Sequence, residues 1–366
     1  MLSKARVNRQ ISKWKQQLPN VRPYYAVKCN PEPQLIEWLA DQVSFDCASP
    51  REIEIVKQYS NDIIYANPCK KREDIKFAQE SGVQLTVVDS KEEVKKLADC
   101  GWKGSSLIRI MVDDKGSKMP FSKKFGTPIT QALSIYGEAK SLGQKISGIS
   151  FHVGSGCQDP NQYYEAILNS NSLLSLMEPF NYINNKKDYI IDIGGGFEDH
   201  SFEKAAASIR SYGFMPHIRL IAEPGRFFAA NSHDLFVKVI GKKPAASGFT
   251  YTIDESLYGQ FSCIPYDQAR PRWIRVRVGA MRGRCEGVIY GRTCDGLDLI
   301  AAGEMEELEE GDWLWFPNMG AYTSVTSSKF NGFERPDLII GDLPDLSEFN
   351  ESDWPTNIKY VNYIKA

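Results

Sequence analysis

The sequence predicts an α/β fold: a (β/α)8 TIM barrel over residues 1–231, followed by a C-terminal β-rich domain of barrel or sandwich type over residues 232–366. Three observations lead there. Eight short runs of β-branched and aromatic residues alternate with longer amphipathic stretches through the first 230 residues, the pattern of a closed parallel sheet wrapped by helices. The chain has 366 residues, more than one hydrophobic core of about 200–250 residues usually serves. After about residue 232 helical periodicity gives way to strand-like runs.

In chain order the eight runs are Tyr24–Val27, Val43–Cys47, Ile63–Ala66, Leu85–Val88, Leu107–Val112, Ile149–Val153, Tyr189–Ile193 and Arg219–Ala222. Helix-like segments such as PQLIEWLADQ, REIEIVKQYS, KREDIKFAQES and KEEVKKLADCG lie between them, the last opened by Ser90 as an N-cap. In the second part the strand candidates are LFVKVIG, FTYTI, IRVRV, EGVIYG, DLIAA and DWLWF. The aperiodic segment ESLYGQFSCIPYDQARPR is expected to pass over a surface or into a cleft.

Composition narrows the function. With 44 basic and 46 acidic side chains the net charge is −2, and no long basic block is present to neutralise phosphates, so nucleic acid is not an expected partner. No stretch approaches the roughly 20 consecutive apolar residues that cross a bilayer, and the N-terminus lacks the apolar core of a secretory signal. A cytoplasmic protein with no membrane partner is expected. Eight scattered cysteines and four histidines, without a C-x-x-C pair, fit free thiols in a reducing compartment and no metal site.

The chemistry gathers where the strands end, at the barrel mouth on which the loops converge. The first run leads to Lys28, the second carries Asp46, the fifth Arg109 and the sixth His152. The seventh runs into Gly194-Gly195-Gly196 and the eighth into Glu223-Pro224-Gly225-Arg226. Glycines let backbone N–H groups approach phosphate oxygens, and Arg226 adds a forked donor at the place where such barrels often bind phosphate. Lys28 is expected to point into the same mouth, where desolvation would make its amine a usable nucleophile. A phosphate cradle plus a cleft lysine fits pyridoxal phosphate held as a Schiff base. Glu223 is then the candidate partner of the ring nitrogen, and His152 offers a flat ring suited to stacking on the pyridine face.

The segments PYYAVKCN, FDCAS, SFHVGSG, DIGGGF, AEPGRFF, RTCDGLD and MGAYT, in this order from about residue 20 to Phe330–Phe333, resemble the eukaryotic-type ornithine decarboxylase family. The resemblance implies a pyridoxal-phosphate-dependent homodimer with an alanine-racemase-like barrel and active sites shared across the interface. By motif it makes Lys28 the Schiff-base lysine, His152 the ring-stacking residue and Glu223 the pyridinium partner. Ser155, Gly196, Arg226 and Tyr322 would hold the phosphate, within the loops of Gly194, Gly195 and Gly225, while Asp46 and Arg109 support the site. Cys294, supplied by the second subunit, would donate the product proton, and Asp295 beside it would bind the substrate's distal amine.

Tyr266-Asp267 matches the family's substrate-selecting segment, where the ornithine-specific members carry Asp and a viral arginine decarboxylase of similar compact size carries Glu. The implied reaction is decarboxylation of L-ornithine to putrescine in polyamine biosynthesis, with arginine and then lysine as alternative substrates. A different class is a catalytically dead regulator of the antizyme-inhibitor kind, against which Lys28, His152, Glu223, Arg226, Cys294 and Asp295 are all present. Only 27 residues precede Lys28, so the stretch that begins the β domain in longer relatives is expected to be largely absent; no long tail follows the Phe330 motif, so antizyme-type regulation is not expected.

Overall fold

The computed structural model describes residues 1–177, 189–213, 217–276, 281–342 and 354–360. The chain divides into two compact units, Arg9–Phe228 and Met1–Asn8 with Ala229–Ala366. The sequence boundary at 231/232 differs from this by three residues and by the N-terminal segment. The physical reason lies in Leu2, which bridges to His233 and Ile340, and in Arg6, whose guanidinium pairs with the fully buried Asp234 at 2.8 Å.

In the first unit the strands in chain order are β1 (Val21–Ala26), β2 (Ser44–Cys47), β3 (Ile63–Tyr65), β4 (Leu85–Val88), β5 (Ser105–Arg109), β6 (Ser117–Met119), β7 (Lys145–Ser150), β8 (Ser155–Cys157), β9 (Tyr189–Asp192) and β10 (Ile218–Ala222). Eight of them close a barrel in the order β1-β10-β9-β7-β5-β4-β3-β2, parallel throughout, and β6 pairs antiparallel with β8 outside it. Each of the eight runs read from the sequence overlaps a barrel strand, because strands covered on both faces are mainly apolar. Tyr24, Ile64, Leu85, Val87, Leu107 and Ile221 fill the barrel interior.

Local sequence also explains the helices. Ser49 caps Pro50–Val56 by accepting from Glu52 N, and Glu52 returns a bond to Ala48 N at 2.7 Å, a reciprocal cap. Ser90 caps Lys91–Asp99 in the expected way, accepting from Glu93 N. The helix Lys4–Gln17 carries buried Val7, Ile11 and Trp14 on one face. Trp14 sits among Phe197, Phe202, Phe227 and Phe228, with ring centroids 5.2–5.8 Å away, and its indole N–H bonds Val21 O at 3.0 Å.

The second unit holds β11 (Leu235–Pro244), β12 (Phe249–Ile253), β13 (Ile274–Arg275), β14 (Arg284–Tyr290), β15 (Leu299–Glu306), β16 (Trp313–Phe316) and β17 (Thr356–Lys359). These form one seven-stranded sheet in the order β13-β16-β11-β12-β14-β15-β17. β11 is shared: its first half pairs with β16 and its second with β12, with a register break between Val239 and Gly241. Residues 277–278 of the IRVRV run lie outside the described residues. The aperiodic segment is not a surface crossing. Gln260–Ser262 is a 3-10 turn and Cys263–Asp267 a short helix, and Leu257, Phe261 and Ile264 enter the unit's core. Their spacing of four and three is helical, but too short a run to stand out from sequence. Among the described residues no helix is long and apolar enough to cross a membrane.

Candidate active site

The strand-end positions singled out in the sequence meet at the C-terminal mouth of the barrel. Lys28 sits in the 3-10 turn Val27–Cys29 directly after β1, and its Nζ lies 2.9 Å from Asp46 Oδ2. The pairing follows from register, since Ala26 stands beside Asp46 across β1 and β2. The sequence expects Lys28 to be desolvated; instead its side chain is 44% exposed while that of Asp46 is fully buried. The reason is the turn, which carries Lys28 off the buried end of β1. An ion pair, not an apolar wall, therefore holds this amine. Asp46 Oδ1 is buried with no donor against it.

His152 lies two residues beyond β7. Its Nδ1 accepts Gly154 N–H at 2.9 Å, which assigns the ring proton to Nε2. Burial first, then the nearby Arg109 and Lys28 cations, hold it well below the ordinary imidazole range, so the ring is neutral. Phe121 meets its edge at 4.9 Å, and Arg109 at the end of β5 stacks over Phe125 at 4.8 Å.

The glycine triplet after β9 is a close-packed cradle. A Cβ on Gly194 would lie 2.4 Å from Phe151 O, on Gly195 2.9 Å from Glu223 O, and on Gly196 2.6 Å from Gly154 O. Gly194 and Gly196 also have φ of 64° and 97°, open to glycine at little cost. Tyr163, stacked on Phe197, donates its hydroxyl to Gly195 O at 2.9 Å, so the aromatic cluster around Trp14 backs the loop. After β10, a Cβ on Gly225 would lie 2.9 Å from Cys29 Cβ, which keeps this turn against the Lys28 turn. Arg226 donates to Ser155 Oγ at 3.2 Å.

Glu198, absent from the sequence reading, stands beside this pair, 3.7 Å from Arg226 Nε and 2.9 Å from Lys118 Nζ. Its signal was its place three residues after Gly195, in a loop read only for its glycines.

Glu223 anchors its backbone by donating N–H to Gly194 O at 2.7 Å. Its carboxyl is buried, and Oε1 has no donor against it. Burial, then the neighbouring Asp192 and Asp46, push this carboxyl well above the ordinary range, with Lys28 and Arg109 opposing.

In the second unit, Cys294 is exposed and its N–H bonds Asn331 Oδ1 at 3.1 Å. Tyr258 donates its hydroxyl to Asp295 and stacks on Phe330 at 4.4 Å. That hydrogen bond, then one from Leu297 N–H, hold Asp295 below the usual carboxylate range. The sequence reading missed Tyr258, although it precedes the Tyr266-Asp267 pair in the same segment. Asp298 organises the loop: its carboxylate accepts from Leu257 N at 2.8 Å, Thr293 N at 3.1 Å and Thr293 Oγ1 at 2.6 Å. Tyr266 is 65% exposed, and Asp267 ends its short helix just before Gln268 at φ 52°. Tyr322 adopts φ 55°.

The barrel mouth fits pyridoxal phosphate on its own geometry. The donorless Glu223 Oε1 is a seat for a ring N–H, the glycine cradle and the Arg226–Ser155 pair suit a phosphate, and Lys28 offers an amine. No group of three or more metal-ligating side chains occurs among the described residues.

Comparison with known proteins agrees. Residues 4–230 match the family described as "Pyridoxal-dependent decarboxylase, pyridoxal binding domain". The chain is 38% identical to the chloroplastic ornithine decarboxylase of Nicotiana glauca over 90% of this chain and 80% of that one. It is 37% identical to antizyme inhibitor 2 of Xenopus laevis over 87% and 75%. Among solved structures it resembles the Paramecium bursaria Chlorella virus arginine decarboxylase bound to agmatine, with a TM-score of 0.85 and 35% identity over 91% and 94% of the two chains.

Proposed function

The chain belongs to the pyridoxal-dependent decarboxylases and uses pyridoxal phosphate, and from that premise we propose that it converts L-ornithine to putrescine and CO2, a step of polyamine formation. The observation that carries the substrate choice is Asp267 at the end of the helix Cys263–Asp267, where the family's ornithine-specific members carry the same residue. Pyridoxal phosphate, when bound, supplies an electron sink for the bond that releases CO2. Lys28 carries the cofactor and Asp46 holds its amine. Neutral His152 stacks on the ring, and Glu223 accepts the ring N–H. Gly194, Gly195, Gly196, Ser155, Gly225, Arg226 and Tyr322 hold the phosphate end, and Arg109 adds positive charge beside the buried carboxyls.

Cys294 delivers a proton to the carbon that has lost CO2, a positioned-acid role worth about 10²–10⁴ in rate. Asp295, kept ionised by Tyr258, complements the cationic substrate tail. We place the Cys294-Asp295 pair on the second subunit of a homodimer, and the protein in the cytosol. Arginine is the second reading, favoured by the likeness to the viral arginine decarboxylase, and lysine the third. A dead regulator like the antizyme inhibitors is disfavoured by the lysine, histidine, arginine, cysteine and carboxylates all in place.

The test is incubation of the purified protein with pyridoxal phosphate and, separately, ornithine, arginine and lysine, measuring CO2 and identifying the amine. Putrescine as the dominant product supports the reading. Agmatine or cadaverine overturns the substrate, and no CO2 from any of the three overturns the enzymatic role.

A further inference from the structure

Asp192, the last residue of β9, is fully buried at the C-terminal end of its strand. Its Oδ1 accepts Gly194 N–H at 3.0 Å and its Oδ2 accepts the Ser150 hydroxyl at 2.9 Å. Gly194 links it to Glu223, whose N–H donates to Gly194 O at 2.7 Å, and Asp192 stands beside Ile221 across β9 and β10, two residues before Glu223. Lys28, Asp46 and Arg109 are the other charged groups acting on Glu223. Two neighbouring carboxyls out of water do not both ionise, so the pair holds one proton between them.

We propose that Asp192 is a positioning residue for the cofactor, the alternative seat of that proton: when the proton lies on Asp192, Glu223 is the carboxylate that a ring N–H requires. The O–H bond on Glu223 breaks as one on Asp192 forms, and the total proton count of the pair is unchanged. This gives a buried acid a route to ionisation without expelling a proton to solvent. The two acceptor bonds of Asp192 fix its plane against Ser150 and the Gly194 turn, which in turn fixes where Glu223 can lie. Burial holds the Asp192 carboxyl above the ordinary range, in keeping with a pair that keeps a proton.

The inference rests on Glu223 facing the ring nitrogen, and the test separates the two. Apoproteins of the parent, Asp192→Ala, Asp192→Asn, Glu223→Gln and the Asp192→Ala/Glu223→Gln double variant are titrated with pyridoxal phosphate, and the holoenzymes are assayed for kcat and KM. Asp192→Ala is expected to lose at least tenfold in cofactor affinity and in kcat, with KM within threefold. Asp192→Asn, which keeps a neutral donor toward Glu223, stays within threefold of the parent in both. In the Glu223→Gln background, Asp192→Ala adds less than threefold.

Equal losses from Asp192→Ala in both backgrounds would show a purely structural role and overturn the inference, as would an Asn variant losing tenfold or more. Should the alanine variant not fold, the asparagine variant decides by the same thresholds. Glu223→Gln with unchanged affinity and turnover defeats the ring-nitrogen assignment itself, whatever the Asp192 variants do.

Discussion

Gly195→Ala probes the cradle with a single added methyl. Gly195, unlike its two neighbours, has no positive φ, so alanine brings no backbone strain and only the contact matters. The new Cβ would lie 2.9 Å from Glu223 O and 3.0 Å from His152 Nε2. Neither neighbour yields freely. Glu223 is tied through its N–H to Gly194 O at 2.7 Å, His152 through Nδ1 to Gly154 at 2.9 Å, and Gly195's own carbonyl to Tyr163 at 2.9 Å. Relief therefore moves the two residues assigned to the ring nitrogen and ring face by several tenths of an ångström.

Overpacking of this kind costs about 1–3 kcal/mol, or roughly a 5- to 150-fold loss of cofactor affinity if the whole cost falls on the bound state. The assay is titration of the apoprotein with pyridoxal phosphate followed by absorbance, with thermal unfolding of the apoprotein alongside. Gly137→Ala is the control: Gly137 lies inside the helix Ile129–Ser141 and its Cβ would meet nothing within 4 Å. The same substitution there should stabilise by about 0.5–1 kcal/mol. Cofactor affinity within twofold of the parent in Gly195→Ala, with an unchanged melting temperature, would refute the reasoning.

Lys28→Ala should abolish the imine absorbance of the bound cofactor, and a full imine band in that variant would sink the lysine assignment. Asp267→Glu should move the ratio of kcat/KM toward arginine over ornithine; an unchanged ratio would show that this position does not read the substrate tail. Glu255, buried in the second unit, is pushed up to about 7 mainly by burial, so the folded state binds its proton more tightly than the unfolded chain. Its stabilising contribution is present below pH 4.5 and lost as pH rises through about 7. At about 1.4 kcal/mol per pH unit the span from 4.5 to about 7 is worth up to about 3 kcal/mol. Glu255→Gln should remove that slope in denaturant-unfolding free energies measured from pH 4 to 8, and an identical slope would place the titration elsewhere.

The barrel was legible because its strands are buried on both faces, which leaves apolar runs such as LTVV that few other settings require. The mouth was legible for the same reason turned round: Lys28, Asp46, His152 and Glu223 are polar residues at places where apolar runs stop. What sequence pattern does not encode is partnership across loops. Lys28 reads as desolvated from YYAV, yet the turn after β1 lifts it to 44% exposure against Asp46. Glu198 reads as a loop acid, yet it lies between Lys118 and Arg226. The helix Lys4–Gln17 did show its stripe in Val7, Ile11 and Trp14, and reading that stretch only for a targeting signal misses it. Its value to the site is indirect, since Trp14 contacts Phe197 directly behind the glycine triplet.

Charge balance ties the site together. Asp46, Asp192 and Glu223 are three buried carboxyls, and the cations acting on Glu223 are Lys28 and Arg109. His152 adds no charge, because burial and those same cations keep it neutral. Three acids against two bases leave one excess negative charge out of water, which folding tolerates only by keeping a proton on the Asp192–Glu223 pair. A ligand presenting a cationic N–H to Glu223 favours the arrangement with that proton on Asp192, whereas a neutral ring does not. An arginine in place of Glu223 would turn that excess into a positive one, two acids against three bases, and leave nothing to hold a ring nitrogen protonated. On the proposed assignment of Glu223 to the ring nitrogen, the surplus carboxyl favours a protonated pyridine, and with it the electron sink that decarboxylation needs.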